Sequence, residues 1–247
     1  MAAAVELRGV DKRFGAVHAN KAIDLAVERA TTHGIVGENG AGKSTLMNIL
    51  YGFYRADAGE IRVHGQAVAI RRPEDAIAHG IGMVHQHFML VEPFTVLENL
   101  LLGAEGGFRL AGGKARARAE LERIERDYKL EVDLDAVVGE LPVGLQQRVE
   151  ILKALWRGAD ILILDEPTGV LTPQEADDLF RILGDLERQG RTVVLITHKL
   201  KEIMAATDAV SVMRGGEMVA HRRTAETSTG ELAELMVGRK VSMRVAK

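Results

Sequence analysis

Hydrophobic and polar positions are distributed along this chain in short stretches of two periods. Val5, Leu7 and Val10 fit an edge strand, and Ile23, Leu25 and Val27 alternate at period two, so residues 5–30 read as short strands with turns. Thr31, Thr32, Ile35 and Val36 make a β-branched run that predicts a buried strand. Leu46, Met47, Ile49 and Leu50 follow as the apolar side of a helix. Residues 59–65 predict a hairpin strand, and 73–79 a short helix with Pro73 at an early helical position. Residues 81–85 predict a buried strand that ends at Gln86.

From residue 88 to 140 the pattern changes character. Residues 95–100 open a helix, glycines at 103, 106, 107, 112 and 113 predict a break, and 114–129 predict a charged helix with a narrow apolar stripe (Leu121, Ile124, Tyr128). The arginines at 116, 118 and 123 read as its solvated face. Residues 141–148 precede an amphipathic helix carrying Val149, Leu152, Leu155 and Trp156, with Gly158 as its C-terminal cap. Residues 161–164 are branched and apolar throughout, as in a strand buried on both faces. Thr172-Pro173-Gln174-Glu175 is a capping box opening a helix through Gln189. Residues 192–196 predict another buried strand, and 209–213 with 217–221 a hairpin through Gly215-Gly216. Ser228 caps a last helix through Val237. Strands alternating with helices predict one α/β domain over 1–238, with a helical insert over about 88–157 and a tail or linker at 239–247.

Composition narrows the function. The 247 residues suffice for one large domain, and 47% hydrophobic residues for a sizeable core. Thirty-five acids against 32 bases leave a formal charge of −3, without the basic footprint of a nucleic-acid binder. The sequence has no cysteine, which removes disulfide and thiol chemistry and fits the cytosol. No apolar run approaches the roughly 18 residues of a spanning helix, and residues 1–5 are no signal peptide. Work at a membrane would therefore be that of a peripheral subunit.

Gly37-Glu38-Asn39-Gly40-Ala41-Gly42-Lys43-Ser44-Thr45 fits the phosphate-loop pattern G-x-x-x-x-G-K-[ST], in the strand–loop–helix setting that the motif needs. Glycines at 37, 40 and 42 let the backbone approach phosphate closely, and the helix that follows adds its positive end. Lys43 is placed to reach β- and γ-phosphates, and the Ser44 hydroxyl to ligate Mg²⁺. A chance glycine-rich turn is the bland alternative; the partners downstream reduce it to a remnant. Asp165 and Glu166 end the 161–164 strand, at the edge where α/β sheets hold ligands. Two uncompensated acids there call for a cation. Asp165 would hold Mg²⁺, directly or through water, and Glu166 would take or orient the proton of an attacking water. A structural ion pair is the weaker reading. Gln86 is placed to touch the metal or that water; His85 and His87 flank it and are not expected to form a metal pair. His198 reaches the same edge and suits a γ-phosphate. Phe14 could stack on a purine, although spacing alone favours a core phenylalanine.

Taken together, these stretches resemble an ATP-binding-cassette ATPase along almost the whole chain. The resemblance rests on the phosphate loop at 37–45, Gln86, the signature region at 141–148, the 161–166 strand with its acids, and His198. It implies a P-loop NTPase fold with a RecA-like, mostly parallel sheet, an N-terminal antiparallel β subdomain and an inserted α-helical subdomain. It implies ATP and Mg²⁺ as ligands, Phe14 as the adenine-stacking aromatic, and Lys43, Gln86, Glu166 and His198 as the catalytic set. Implied partners are permease subunits docked on the helical insert, a second cassette paired head to tail, and indirectly a substrate-binding lipoprotein. Each ATP would lie between one phosphate loop and the other cassette's signature, on the cytoplasmic face of a bacterial inner membrane.

Three departures from the family pattern matter. Its signature reads L-S-G-G-Q; here it is Leu141-Pro142-Val143-Gly144-Leu145, followed by Gln146. Pro142 offers the partner's γ-phosphate neither a hydroxyl nor an N–H. The family's S-A-L-D is here Gly169-Val170-Leu171-Thr172. With E-L-P-V-G at 140–144 and L-T-P-Q-E at 171–175, these departures resemble the ATPase of simple-sugar and nucleoside importers, which carries two fused cassettes. Residues 231–239 are like the close of its first cassette, so this chain is expected to be an N-terminal half. The site on this phosphate loop is expected to hydrolyse ATP against an intact partner signature, its counterpart to be slow, and a lone cassette to be weakly active. Alternatives are a soluble cassette of translation or DNA maintenance, disfavoured by the ordinary insert and missing basic arm, and a binding-only cassette, disfavoured by the intact Glu166 and His198.

Overall fold

Two long strands, β1 (Ala3–Phe14) and β2 (Val17–Glu28), pair antiparallel about a tight turn at Gly15. β1 also pairs with β4 (Ala58–Val63), and β4 with β5 (Gln66–Val68), in the order β2-β1-β4-β5. β1 is thus interior to its sheet, not an edge strand, and residues 3–28 form two twelve-residue strands rather than several short ones. Register shifts between Leu7 and Val10 and again between Val10 and Lys12 interrupt the alternation, which makes each strand look fragmented in the sequence. The structure, a computed structural model, describes residues 3–86, 88–102 and 113–239. The predicted glycine break at 103–112, His87 and the tail beyond 239 lie outside the described residues; Gly113 opens a helix.

The second sheet holds β3 (Thr32–Val36), β6 (Ile81–Val84), β7 (Ile161–Asp165), β8 (Thr192–Ile196), β9 (Ala209–Arg214) and β10 (Glu217–Arg223), in the order β10-β9-β3-β8-β7-β6. Five of these strands run parallel and β10 closes one edge antiparallel. β3, β6, β7 and β8 are buried at every position because the sheet is covered on both faces. Ile161 and Ile163 of β7 face a core shared with the first sheet and α1 (Lys43–Tyr51). Leu162 and Leu164 face the second core. Helices α3 (Val96–Leu101), α4 (Gly113–Tyr128), α5 (Val143–Trp156), α6 (Pro173–Arg188), α7 (Leu200–Ala206) and α8 (Thr229–Val237) supply that second core, while the short α2 (Pro73–Ala78) packs beside β6 and α1.

The caps follow the sequence. Thr172 and Glu175 form the capping box of α6, Thr95 and Glu98 that of α3, and Ser228 caps α8. α4 buries Ala117, Leu121, Ile124 and Tyr128 and exposes Arg116 and Arg123. α5 begins earlier than its apolar pattern suggests. Pro142 is its N-cap, and its carbonyl already accepts the N–H groups of Leu145 (2.9 Å) and Gln146 (3.0 Å), so residues 143–146 are the first turn of the helix and not its approach. Trp156 ends α5, 2% exposed.

Candidate active site

Four neighbouring parallel strands release their chains at one edge of the sheet. β3 runs into the loop at 37–42, β6 into His85-Gln86, β7 into Asp165-Glu166 and β8 into Thr197-His198. The carboxyl ends of such strands are where an open α/β sheet leaves room for a ligand. A cleft of about 810 Å³ opens there, lined by Phe14, residues 39–45, Gln86, Glu166 and His198, with Val17, His18, Ala19, Gly215 and Gly216 as its outer wall.

The loop is wedged between the two sheets. A Cβ at Gly37 would stand 2.4 Å from the Met213 carbonyl oxygen, and one at Gly42, where φ is 100°, 2.3 Å from that of Ala19. Asn20, fully buried in β2, donates from Nδ2 to the Gly42 carbonyl at 3.1 Å. α1 starts directly from Gly42 with no side-chain cap, which leaves its first N–H groups to an anion. Lys43 is 6% exposed and donates from Nζ to the carbonyls of Gly37 (2.7 Å) and Glu38 (3.1 Å). Burial lowers its pKa, while Glu166 and Asp165 pull it back up.

The two acids differ in setting. Burial raises the Asp165 carboxyl above its ordinary range; hydrogen bonding by the Ser44 side chain lowers it, Glu166 raises it and Lys43 lowers it. Its Oδ1 is buried and accepts no hydrogen bond among the described residues. Glu166 takes φ 48°, a conformation that side chains rarely adopt, and its N–H donates to the Ile196 carbonyl of β8 at 2.8 Å. That bend ties the acid to β8 and brings Glu166 Oε1 within 3.0 Å of His198 Nδ1.

A hydroxyl and an orphaned buried carboxylate oxygen are the hard donors that Mg²⁺ prefers, and that ion completes its shell with water and phosphate oxygens. Among the described residues no three acidic, histidine or cysteine side chains converge as a metal cage. Phe14 is not in the core; it is 42% exposed on the cleft wall, edge-on to Tyr54 at 5.1 Å, with Lys12 Nζ 5.2 Å above its ring.

Residues 142–146 stand apart. None lines this cleft; they form the half-buried N-terminal turn of α5, where Gly144 N–H donates to Glu175 Oε1 at 3.1 Å and Gln146 Nε2 to the Leu141 carbonyl at 2.9 Å. Sequence reasoning missed Asn20, Ala19 and the Gly215-Gly216 turn as parts of the loop's cradle. Asn20 gave one signal, a polar residue in a strand otherwise read for its apolar positions; the others become visible only when β2 and the β9–β10 turn meet the loop.

Comparison with known proteins follows this geometry. A family profile described as ABC transporter matches residues 20–169. The nucleoside import ATP-binding protein NupA of Lactococcus lactis subsp. cremoris is 46% identical over 98% of this chain and 48% of its own length. The guanosine import ATP-binding protein NupO of Bacillus subtilis is 48% identical, again over 98% of this chain and 48% of its own. The chain spans about half the length of the curated relatives it matches. An ATP-binding cassette of an ABC transporter, crystallised in its ADP conformation, superposes with a TM-score of 0.84 at 27% identity, over 97% of this chain and 100% of that one.

Proposed function

This chain belongs to the ABC transporter family, and on that premise we propose that it is the ATP-binding and ATP-hydrolysing part of an importer for nucleosides or simple sugars. The observation that carries the reading is the convergence of four strand ends on one cleft: phosphate loop, Gln86, the Asp165-Glu166 pair and His198. The names of the relatives, importers of nucleosides, guanosine, glucose and ribose, support the transport role.

Lys43 swings from its own loop carbonyls to the β- and γ-phosphates, and the free N–H groups at the start of α1 receive phosphate oxygens. Phe14 and Val17, both exposed on the cleft wall, present a face for the base. Ser44 and Asp165, with Gln86 beside them, would hold Mg²⁺, which would supply charge neutralisation at the phosphate oxygens. Glu166 orients the attacking water and takes its proton, and His198 holds Glu166 in place through the Nδ1 bond while reaching toward the γ-phosphate. The α5 turn at 142–146 meets the nucleotide of a partner cassette, fused or separate. A groove lined by Tyr51, Phe53, His85, Glu150 and Lys153, between the β6 edge and α5, receives a permease subunit. The site on this phosphate loop is the active one of the pair, and the isolated cassette is weakly active because it lacks a facing signature.

Glu166→Gln in the full-length chain tests this. Turnover should fall by at least about 100-fold while ATP still binds. Near-normal turnover would refute the assignment.

A further inference from the structure

α5 starts without a cap of its own. Pro142 holds the N-cap position and brings no side-chain oxygen to accept from the first turn. The acceptor comes from another helix. Glu175 Oε1 accepts the Gly144 N–H at 3.1 Å, while Oε2 accepts the Thr172 N–H and the Thr172 hydroxyl, each at 2.9 Å. One carboxylate therefore caps two helices, α6 from within and α5 from the facing helix. A Cβ at 144 would stand 2.7 Å from Glu175 Oε1 and would push that carboxylate aside. The Glu175 carboxyl is held below its ordinary range, chiefly by the Thr172 N–H, then by the Thr172 hydroxyl, with the Gly144 N–H adding to both.

A second tie runs beside the first. Gln147, 2% exposed, donates from Nε2 to the Pro167 carbonyl at 2.8 Å. Pro167 and Thr172 both belong to the loop that leaves Glu166. On its far side that loop is gripped by Lys199 Nζ, which donates to the Thr168 carbonyl (3.1 Å) and hydroxyl (3.0 Å) one residue after His198. The segment from Glu166 to Glu175 is thus stapled to β8's outgoing residues on one side and to the start of α5 on the other.

We propose that Glu175 is a positioning residue that replaces the cap missing at Pro142, fixes the turn 142–146 in the orientation presented to a partner's nucleotide, and hitches that turn to the loop leaving Glu166. The proposal rests on the reading above that this turn faces a partner's ATP. Pro142 and Glu175 then form a compensating pair: the residue that removed the local acceptor is matched by one that supplies it from α6. Geometry at this chain's own acids is passed to the turn through two hydrogen bonds rather than through a flexible loop.

The test uses the full-length chain that carries this cassette, with its permease partners, and the variants E175A, E175Q and E175A/P142S. Amide exchange at 143–149 without nucleotide reads the tie itself; KM and kcat for ATP read its use. In E175A, exchange at Gly144 and Leu145 should quicken by about tenfold and the KM for ATP rise by about fivefold, more than kcat falls. E175Q keeps one accepting oxygen where the carboxylate uses two, so both readouts should fall between those of the unmodified chain and E175A. P142S, which returns a hydroxyl to the N-cap, should recover at least about half of the E175A loss. If E175A does not fold, G144A displaces the same carboxylate and should raise KM likewise. Faster exchange with unchanged KM and kcat would reduce Glu175 to a structural cap, and failure of P142S to recover the loss would overturn the compensation. An unmodified chain that binds no ATP would overturn the functional reading beneath the proposal, while the exchange data would still report the tie.

Discussion

Single residues in the cleft are held by contacts that leave little freedom, and the consequences differ in sign. Gly42 combines φ 100° with a carbonyl 2.3 Å from where a Cβ would stand. Gly42→Ala should destabilise the chain by about 2 kcal/mol or more and abolish phosphate binding, read by urea unfolding and ATP titration. Asp165 points the other way. Its carboxyl is raised chiefly by burial, and one of its oxygens lacks a partner, so the nucleotide-free fold bears a charge it would be more stable without. Asp165→Asn should therefore raise the Tm of the nucleotide-free protein by a few degrees while erasing the Mg²⁺ dependence of ATP binding. The placing of the 37–45 loop and of both acids at one sheet edge was legible in the sequence because the pattern is local: a spacing of glycines, a lysine, a run of apolar residues ending in carboxylates. Asn20 was not, because its importance lies in a bond to Gly42, 22 positions away. Phe14 could be judged only from its exposure, which no spacing gives.

At the scale of elements, legibility followed locality again. The Thr172 and Ser228 caps were readable because donor and acceptor lie within three residues. Thr172→Ala removes the acceptor for the Glu175 N–H and loosens the carboxylate that also holds Gly144. It should cost about 1 kcal/mol in thermal or urea unfolding and, unlike an ordinary cap loss, also speed amide exchange at the start of α5. The position of β1 was not readable. Val5, Leu7 and Val10 define a buried face, but how many strands flank β1 depends on β4 and β5, some fifty residues on, and register shifts hide its length. The start of α5 was misplaced for a related reason: a proline two residues before a glycine reads as the approach to a helix, yet here the proline's carbonyl is the helix's first acceptor.

The whole molecule joins its two sheets along a polar seam. Buried His33 of β3 meets the Ser211 hydroxyl of β9 at 2.7 Å, and that hydroxyl meets Nδ1 of His221 on β10 at 2.8 Å, which in turn hydrogen-bonds the backbone of Asp24 in β2. Burial, with His221 close by, depresses His33 to a pKa of about 4 from 6.5. Above pH 7 the ring is neutral in folded and unfolded chains alike, so this source of stability is fully present. As pH falls, the unfolded chain takes up the proton first, and stability drains between about pH 6.5 and 4, by about 3 kcal/mol. His33→Gln should flatten that part of the curve in urea unfolding followed against pH. None of this chain of contacts was visible in the sequence, where the histidines lie 188 positions apart. The parallel α/β architecture itself was, since completely buried strands alternating with amphipathic helices leave few other arrangements.

One burial described above gives the molecule a built-in optical gauge. The sequence has a single tryptophan, Trp156, and it ends α5, the helix whose other end carries the turn at 142–146. Its emission is therefore that of one shielded indole, free of overlap from any second such chromophore. A rotation of α5 as nucleotide enters would shift the wavelength or intensity of that light, with no dye attached and no residue of the cleft altered.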